Sequence, residues 1–336
     1  MLFAMTSQKW QIKHMAESTL PGALVQDAEI SAMEALGADV TVPPPSRARS
    51  WFNIALRFAF VFVLACVAWE GLKFIGGNPW RFSTADGAWF NLLWFPPLEI
   101  KFANDLNMPH LWDIFSALVQ PAQRNGPLLV NVLAQAALVT MQAALAGFVI
   151  GTLLGLVLGT VFAHSNLLER ALSPYVVASQ TIPILAIAPM VVVWLNAGWW
   201  SVAILAAYLC FFPVTINTLR GLRSPDPRAI ELMKSYAASR WTTLWKVRLP
   251  SALPYIFTAL KIAATTSIVG AIIGELPSGL GEGLGRVILN FNSEYAIRPP
   301  KLWATILFVA IVGILFFITV TLIERVMTRN MRKLEN

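Results

Sequence analysis

The chain alternates long apolar runs with polar breaks, and the runs have the lengths that cross a bilayer. A spanning helix needs about 20 mostly apolar residues. The first run covers Ile54–Ile75, its apolar centre Phe58–Trp69 flanked by Arg57, Glu70 and Lys73, charges within snorkelling reach of the interface. A Trp-, Phe- and Pro-rich loop, Gly76–Pro127, follows. Leu128–Ala163 then holds 36 residues without a formal charge or a proline. That predicts one long helix, its first part at the interface or on the protein surface and its span at Thr140–Ala163. Further runs lie at Leu172–Leu195, Trp199–Leu219, Tyr255–Gly274 and Leu302–Ile323. The pattern predicts an all-α polytopic membrane protein of six transmembrane helices.

Two runs carry internal punctuation. Gly147, Gly151, Gly155 and Gly159 recur at every fourth position. Four residues apart on a helix is one stripe, and a glycine stripe lets a neighbouring backbone approach closely. The third run carries Pro174, Pro183 and Pro189. Interior prolines free carbonyls and kink a helix, and such backbone is tolerated at membrane depth where it is buried or lines a watery path. The segment therefore reads as one kinked span.

Composition strengthens the membrane reading. The chain has 336 residues, 57% hydrophobic and 13% charged, about half the charge content of a soluble domain. Its two cysteines, Cys66 and Cys210, both fall inside apolar runs and read as buried or lipid-facing hydrophobes. Residues 1–50 hold no apolar run of signal-peptide length and read as a solvated cytoplasmic extension with a short helix around Asp27–Leu36.

A net charge of +7 raises nucleic acid as a partner, and topology removes it. With both termini inside, seventeen Lys and Arg fall on the inner side and six on the outer. This asymmetry follows the positive-inside rule. Seven of the inner cations lie between Arg220 and Arg248, against Asp226 and Glu231.

Enzymatic chemistry is missing from the pattern. The chain has no phosphate-cradling G-x-x-x-x-G-K-[ST]. The glycines of Gly279–Gly285 alternate after a membrane helix, and they do not make a dinucleotide loop. His14, His110 and His164 are scattered over both sides. No catalytic or metal-binding set emerges, so energy for any pumping must enter through another chain.

The large inner loop has helix signals. Asp226 suits an N-cap and Pro227 the first helical position. Ile230, Met233 and Ala237 recur at helical spacing, with Leu232 and Tyr236 beside them. Ser239 suits the cap of a second short helix, Arg240–Val247, which Leu249-Pro250 should stop. Two such helices make either a knob that docks in a partner's groove or a hairpin folded on its own bundle. The residues alone leave both open.

This loop resembles the EAA loop of permease subunits of binding-protein-dependent ABC importers. The family's Glu, its spacing and its closing Leu-Pro stand here as Glu231, Leu249 and Pro250. Its two alanines are replaced by Leu232 and Met233, and its glycine by Ala237. Ser179–Pro183 through Trp194-Leu195, Phe212–Leu222, and Gly283-Leu284-Gly285 resemble the nitrate, sulfonate and taurine branch. The Leu-Met-Lys-Ser-Tyr variant is similar to that of pyrimidine or thiamine-precursor importers.

The resemblance implies a multi-pass protein of the bacterial inner membrane. Residues 1–50 would form the cytoplasmic extension and 51–127 the first span with its periplasmic loop. The permease core would be 128–324 with its coupling loop at 220–254, and 325–336 a basic cytoplasmic tail. It implies a second permease copy, two ABC ATPase subunits that carry ATP-Mg, and a periplasmic solute-binding protein, with no cofactor in this chain. Glu231, Leu232, Met233, Ala237, Arg240, Leu249 and Pro250 would dock the ATPase. Gln180, Thr181, Pro183, Trp194, Asn196, Thr265, Thr266, Ser267 and Glu275 are pathway candidates, and the polar ones serve equally as interhelical hydrogen-bond formers. Glu275 either helps close the outer gate or faces water. Lys261 reads as a cation that snorkels inward rather than one that binds an anion. The competing function is a secondary transporter or channel that works alone, but it would need intramembrane acids, nearly absent between Leu128 and Gly274.

Overall fold

A computed structural model describes residues 47–83, 89–98, 100–196, 198–279 and 282–332. The N-terminal extension up to residue 46, with the helix expected at Asp27–Leu36, lies outside them. The chain divides into Met1–Val67 and Ala68–Asn336. Helix α1, Arg47–Ile75, crosses this division. Up to Val67 it presents exposed apolar side chains such as Phe58, Phe60 and Phe62.

The second unit is nearly all helical. After β1 (Trp80–Ser83) and β2 (Trp89–Trp94) come α2 (Leu111–Leu118), α3 (Leu129–His164), α4 (Asn166–Ser179) and α5 (Ile184–Trp194). Then follow α6 (Trp199–Leu222), α7 (Pro227–Ser235), α8 (Arg240–Thr243), α9 (Leu249–Ser278), α10 (Leu284–Ser293) and α11 (Pro299–Arg332). Among the described residues five helices are long and apolar enough to span, and a sixth span is reached if the bent pair α4–α5 counts as one.

The core is built on α6. Its small residues Ala203, Ala206 and Cys210 are fully buried. The glycine stripe of α3 runs along it. A Cβ built on Gly147 would stand 2.4 Å from Cβ of Ala206, and one on Gly151 would stand 2.6 Å from the Ala207 carbonyl oxygen. Gly155 and Gly159 meet Val214 and Thr218 as closely. On another side, Gly270 and Gly274 of α9 approach Ala206 and Val202, and Gly221 of α6 approaches Ala252. In lipid, where burial of apolar surface drives little association, such backbone proximity supplies the packing energy.

α3, at about 1.5 Å per residue, is longer than the ~30 Å hydrocarbon layer. Its first turns leave the α6 contact and bury Leu129, Leu133 and Ala136 against Ile114, Leu284, Phe291 and Leu302 of α2, α10 and α11. This outer cluster adds structure where the sequence indicates only a loop. β1 and β2 form an antiparallel hairpin, a small exception to the all-helical expectation. Glu70 accepts from Leu111 N at 2.7 Å and lies 2.8 Å from His110 Nδ1. Lys73 does not snorkel: it is fully buried and pairs with Asp105 at 2.6 Å. Burial pushes the nearby Asp113 carboxyl above its ordinary value, against the pull of His110 and Lys73.

Two expected boundaries change. The third run is broken more sharply than a kink: α4 and α5 are bent by 96°, as a broken span or a re-entrant segment. Pro183 stands at the break, where it offers no N–H and disfavours helical geometry at Ile182. The Tyr208 hydroxyl of α6 donates to the Ser179 carbonyl and so takes up an orphaned end of α4. α4 also starts earlier than expected, because Ser165 Oγ accepts from Leu168 N at 3.3 Å.

Nor does Leu249-Pro250 stop the helix from Arg240. A π-turn at Leu244–Arg248 carries α8 straight into α9, with Leu249 N bonded to the Leu244 carbonyl. The widened turn shifts the hydrogen-bond register just where Pro250 lacks a donor.

The stripe's close approach predicts that Gly151→Val costs about 1–3 kcal/mol by overpacking. Gly313→Ala on α11, which has open space around it, should be neutral or slightly stabilising. Thermal unfolding of the purified chain in detergent checks both; equal effects would contradict the packing.

Candidate functional site

The loop between α6 and α9 forms a projecting knob whose shape follows from its caps. Asp226 Oδ1 accepts from Arg228 N at 2.8 Å, and Pro227 opens α7. At the other end, Ala238 N bonds to the Met233 carbonyl at 3.0 Å and Ala237 N to that of Lys234 at 2.9 Å. This is a Schellman ending, which puts its C′ residue in the left-handed region. That residue is Ala237, at φ 50°. The position where the EAA pattern carries glycine is thus the one that needs it, and alanine holds it here at a cost of about 1–2 kcal/mol. Ser239 Oγ then accepts from Thr242 N at 3.1 Å and starts α8.

The knob's apolar outer face is not folded back on the bundle. Leu232, Tyr236, Trp241 and Trp245 are 56%, 76%, 69% and 61% exposed, while Ile230 and Met233 are half-buried. Glu231, Ala237 and Arg240 are exposed, and no ion pair engages Glu231 or Arg240 among the described residues. Leu249 is half-buried and Pro250 exposed in the first turn of α9. Trp241 and Trp245 went unnoticed in the sequence, although two tryptophans four residues apart on a short polar helix are a readable signal.

The knob's base is tied down. Arg223, just past α6, donates to both carboxylate oxygens of Glu169 on α4, at 2.8 and 2.5 Å. It also reaches Asn166 Oδ1 at 3.1 Å and the Phe162 carbonyl at 3.2 Å. Such a fork fixes geometry as well as charge. The sequence gives no sign of this tie, because Glu169 lies 54 positions away. Movement of the knob would therefore pull on α4 and the break beyond it.

The pathway candidates separate. Gln180, Thr181 and Pro183 sit at the break and Trp194 and Asn196 at the end of α5, all exposed. The Thr181 hydroxyl is spent on the Ala178 carbonyl at 2.8 Å. Asn196 has φ 54° and opens the turn to α6. On α9, the hydroxyls of Thr265, Thr266 and Ser267 donate back to their own helix, at Ile262, Ile262 and Ala264.

Glu275 does not face water. It is buried, and its Oε2 accepts from Gly285 N at 2.7 Å, beneath the N-terminus of α10. A Cβ on Gly283 would fall 2.2 Å from the carboxylate, so the neighbouring glycine makes room for it. Leu284 N is taken by Thr140 Oγ1 of α3 at 2.8 Å. Lys261 is paired rather than free, with Glu324 of α11 at 2.9 Å.

The model of the family described as binding-protein-dependent transport system inner membrane component matches residues 151–329, which take in α4–α10, the knob included. The chain is 33% identical over 181 residues to the formylaminopyrimidine transport permease protein ThiX of Halalkalibacterium halodurans, covering 54% of this chain and 71% of that one. It is 34% identical over 199 residues to the riboflavin transport system permease protein RibX of Chloroflexus aurantiacus, covering 59% and 73%. To the putative aliphatic sulfonates transport permease protein SsuC of Bacillus subtilis it is 31% identical over 187 residues, covering 56% and 67%.

Because Ala237 occupies a glycine conformation, Ala237→Gly should relieve about 1 kcal/mol of strain. Amide exchange of Pro227–Ala238 should slow in that variant; faster exchange would contradict the cap.

Proposed function

The chain belongs to the family of binding-protein-dependent transport system inner membrane components, and from that premise we propose how its parts work together. It is an ABC importer permease of the nitrate, sulfonate and taurine branch, a multi-pass transport subunit. In the bacterial inner membrane, with both termini cytoplasmic, it pairs with a second copy of itself around one pathway. ATPase subunits carrying ATP-Mg sit beneath the knob, and a periplasmic binding protein delivers solute above. The solute class is a small nitrogen heterocycle of pyrimidine or thiamine-precursor type, a reading supported by the names of two relatives, for formylaminopyrimidine and riboflavin.

The exposed apolar and aromatic face of a well-capped α7–α8 knob carries this reading. An amphipathic helix presents such a face to a groove. When ATP closes the ATPase dimer, its grooves take the two knobs with them. α8 continues into α9 without a joint, so the movement passes to the core. Arg223 passes it to α4 and the Gln180–Pro183 break. The bundle then switches as rigid bodies between inward- and outward-open states. The exposed apolar residues of the bent pair, Tyr175, Leu185, Val193 and Trp194, are the surface offered to the second copy and to the lipid bilayer.

Two expected outcomes test this. In proteoliposomes holding the permease with its ATPase, uptake should require ATP on the ATPase side and binding protein on the other. Uptake driven by an ion gradient through this chain alone would overturn it. Glu231→Lys and Arg240→Glu should each lower ATP-driven uptake roughly 5- to 150-fold, the range of ordinary coupling energies, with membrane insertion unchanged. Normal uptake in both would contradict docking at the knob.

A further inference from the structure

The knob's cations are not treated alike by the fold. Arg223 is neutralised by Glu169. Lys234, Arg240 and Arg248 make no ion pair among the described residues. These three converge, with His164, Asn166 and Ile230, on a cleft of about 500 Å³ between the end of α3, α7, α8 and the π-turn. No Asp or Glu lines it. A second slot of about 340 Å³ shares His164 and Arg240 with the cleft and continues over Val161, Trp241 and Leu244. A basic cleft thus opens into a largely apolar slot.

Its position matters as much as its charge. α3 ends at His164, one residue past the uncharged run, so the cleft lies where the apolar span meets water. Trp241, 69% exposed at the slot, is a residue type that collects at that level. Basic pockets beside transmembrane helices on the cytoplasmic side recognise anionic head groups. We propose that this cleft and slot bind an anionic phospholipid of the inner leaflet, its phosphate held by Lys234 and Arg248 and one acyl chain lying over Val161 and Leu244, while Arg240 and Trp241 at the rim stay available to the ATPase. The site rests on the cytoplasmic placement of the knob and goes beyond docking. It would tie lipid charge to the position of the lever that the ATPase moves. A soluble anion would use the cleft and leave the slot empty; charge and apolar surface side by side select a lipid.

The test uses the full-length chain purified in detergent, with and without its ATPase, and a phosphatidylglycerol carrying a photoactivatable acyl chain. In the wild type, label should concentrate in peptides covering residues 160–166 and 230–248. A large excess of inorganic phosphate should not displace it, and the matching phosphatidylcholine should not label there. Lys234→Gln with Arg248→Gln should reduce that label roughly thirtyfold, about 1 kcal/mol being expected for each cation. Lys246→Gln, exposed on the same knob and outside the cleft, should leave it unchanged. Label spread evenly over the spans, or equal labelling by phosphatidylcholine, would overturn the proposal even if a variant failed to fold. Displacement by phosphate would make this a free-anion site. Loss of label on adding the ATPase would assign the cleft to the protein partner. Labelling is read without transport, so failed uptake and failed lipid binding remain distinct results.

Discussion

The close approach of α3 and α9 to α6 is the contact on which the rest depends. Side chains of ordinary size at Gly147–Gly159, Gly270 and Gly274 would push the three helices apart, because built Cβ atoms there meet backbone and Cβ atoms at about 2.4–3.1 Å. Once the three are locked, α6 becomes the reference frame. Tyr208 takes up the end of α4, the α6 terminus offers Arg223 to Glu169, and the α6–α9 connection becomes a projecting knob. Thus the packing of small residues inside the apolar layer determines where the polar machinery outside it stands.

The same frame sets which elements run on without a break and which do not. α8, the π-turn and α9 run without a break, while α7 joins α8 through the Schellman turn at Ala237. The break lies in α4–α5, at Pro183, and is reached through the Arg223 fork. Glu275, buried beneath α10 and bonded to Gly285 N, ties the opposite end of α9 to α10.

Much of this was legible in the chain. Apolar run length revealed α1, α3, α6, α9 and α11, and the glycine register marked a stripe before its partner helix was known. The caps at Asp226 and Ser239 were readable because they act over three residues. What escaped was whatever depends on distant partners: Arg223 with Glu169, Lys73 with Asp105, Lys261 with Glu324, and Glu275 under α10. The break at Pro183 was legible and its 96° angle was not, since proline predicts a disruption while tertiary contacts decide its angle. Pro250 was overestimated as a stop, because a π-turn absorbs the missing donor. The glycine-to-alanine change at 237 was visible, but its meaning required the positive φ.

The central claim is that the outer face of α7 seats on an ATPase subunit and not on the permease's own bundle. A photocrosslinking residue at Tyr236, introduced into the intact transporter, tests it most directly. The account predicts crosslinks to the ATPase, with a yield that changes when ATP binds. Crosslinks confined to the permease chain itself, unaffected by ATP, would contradict it.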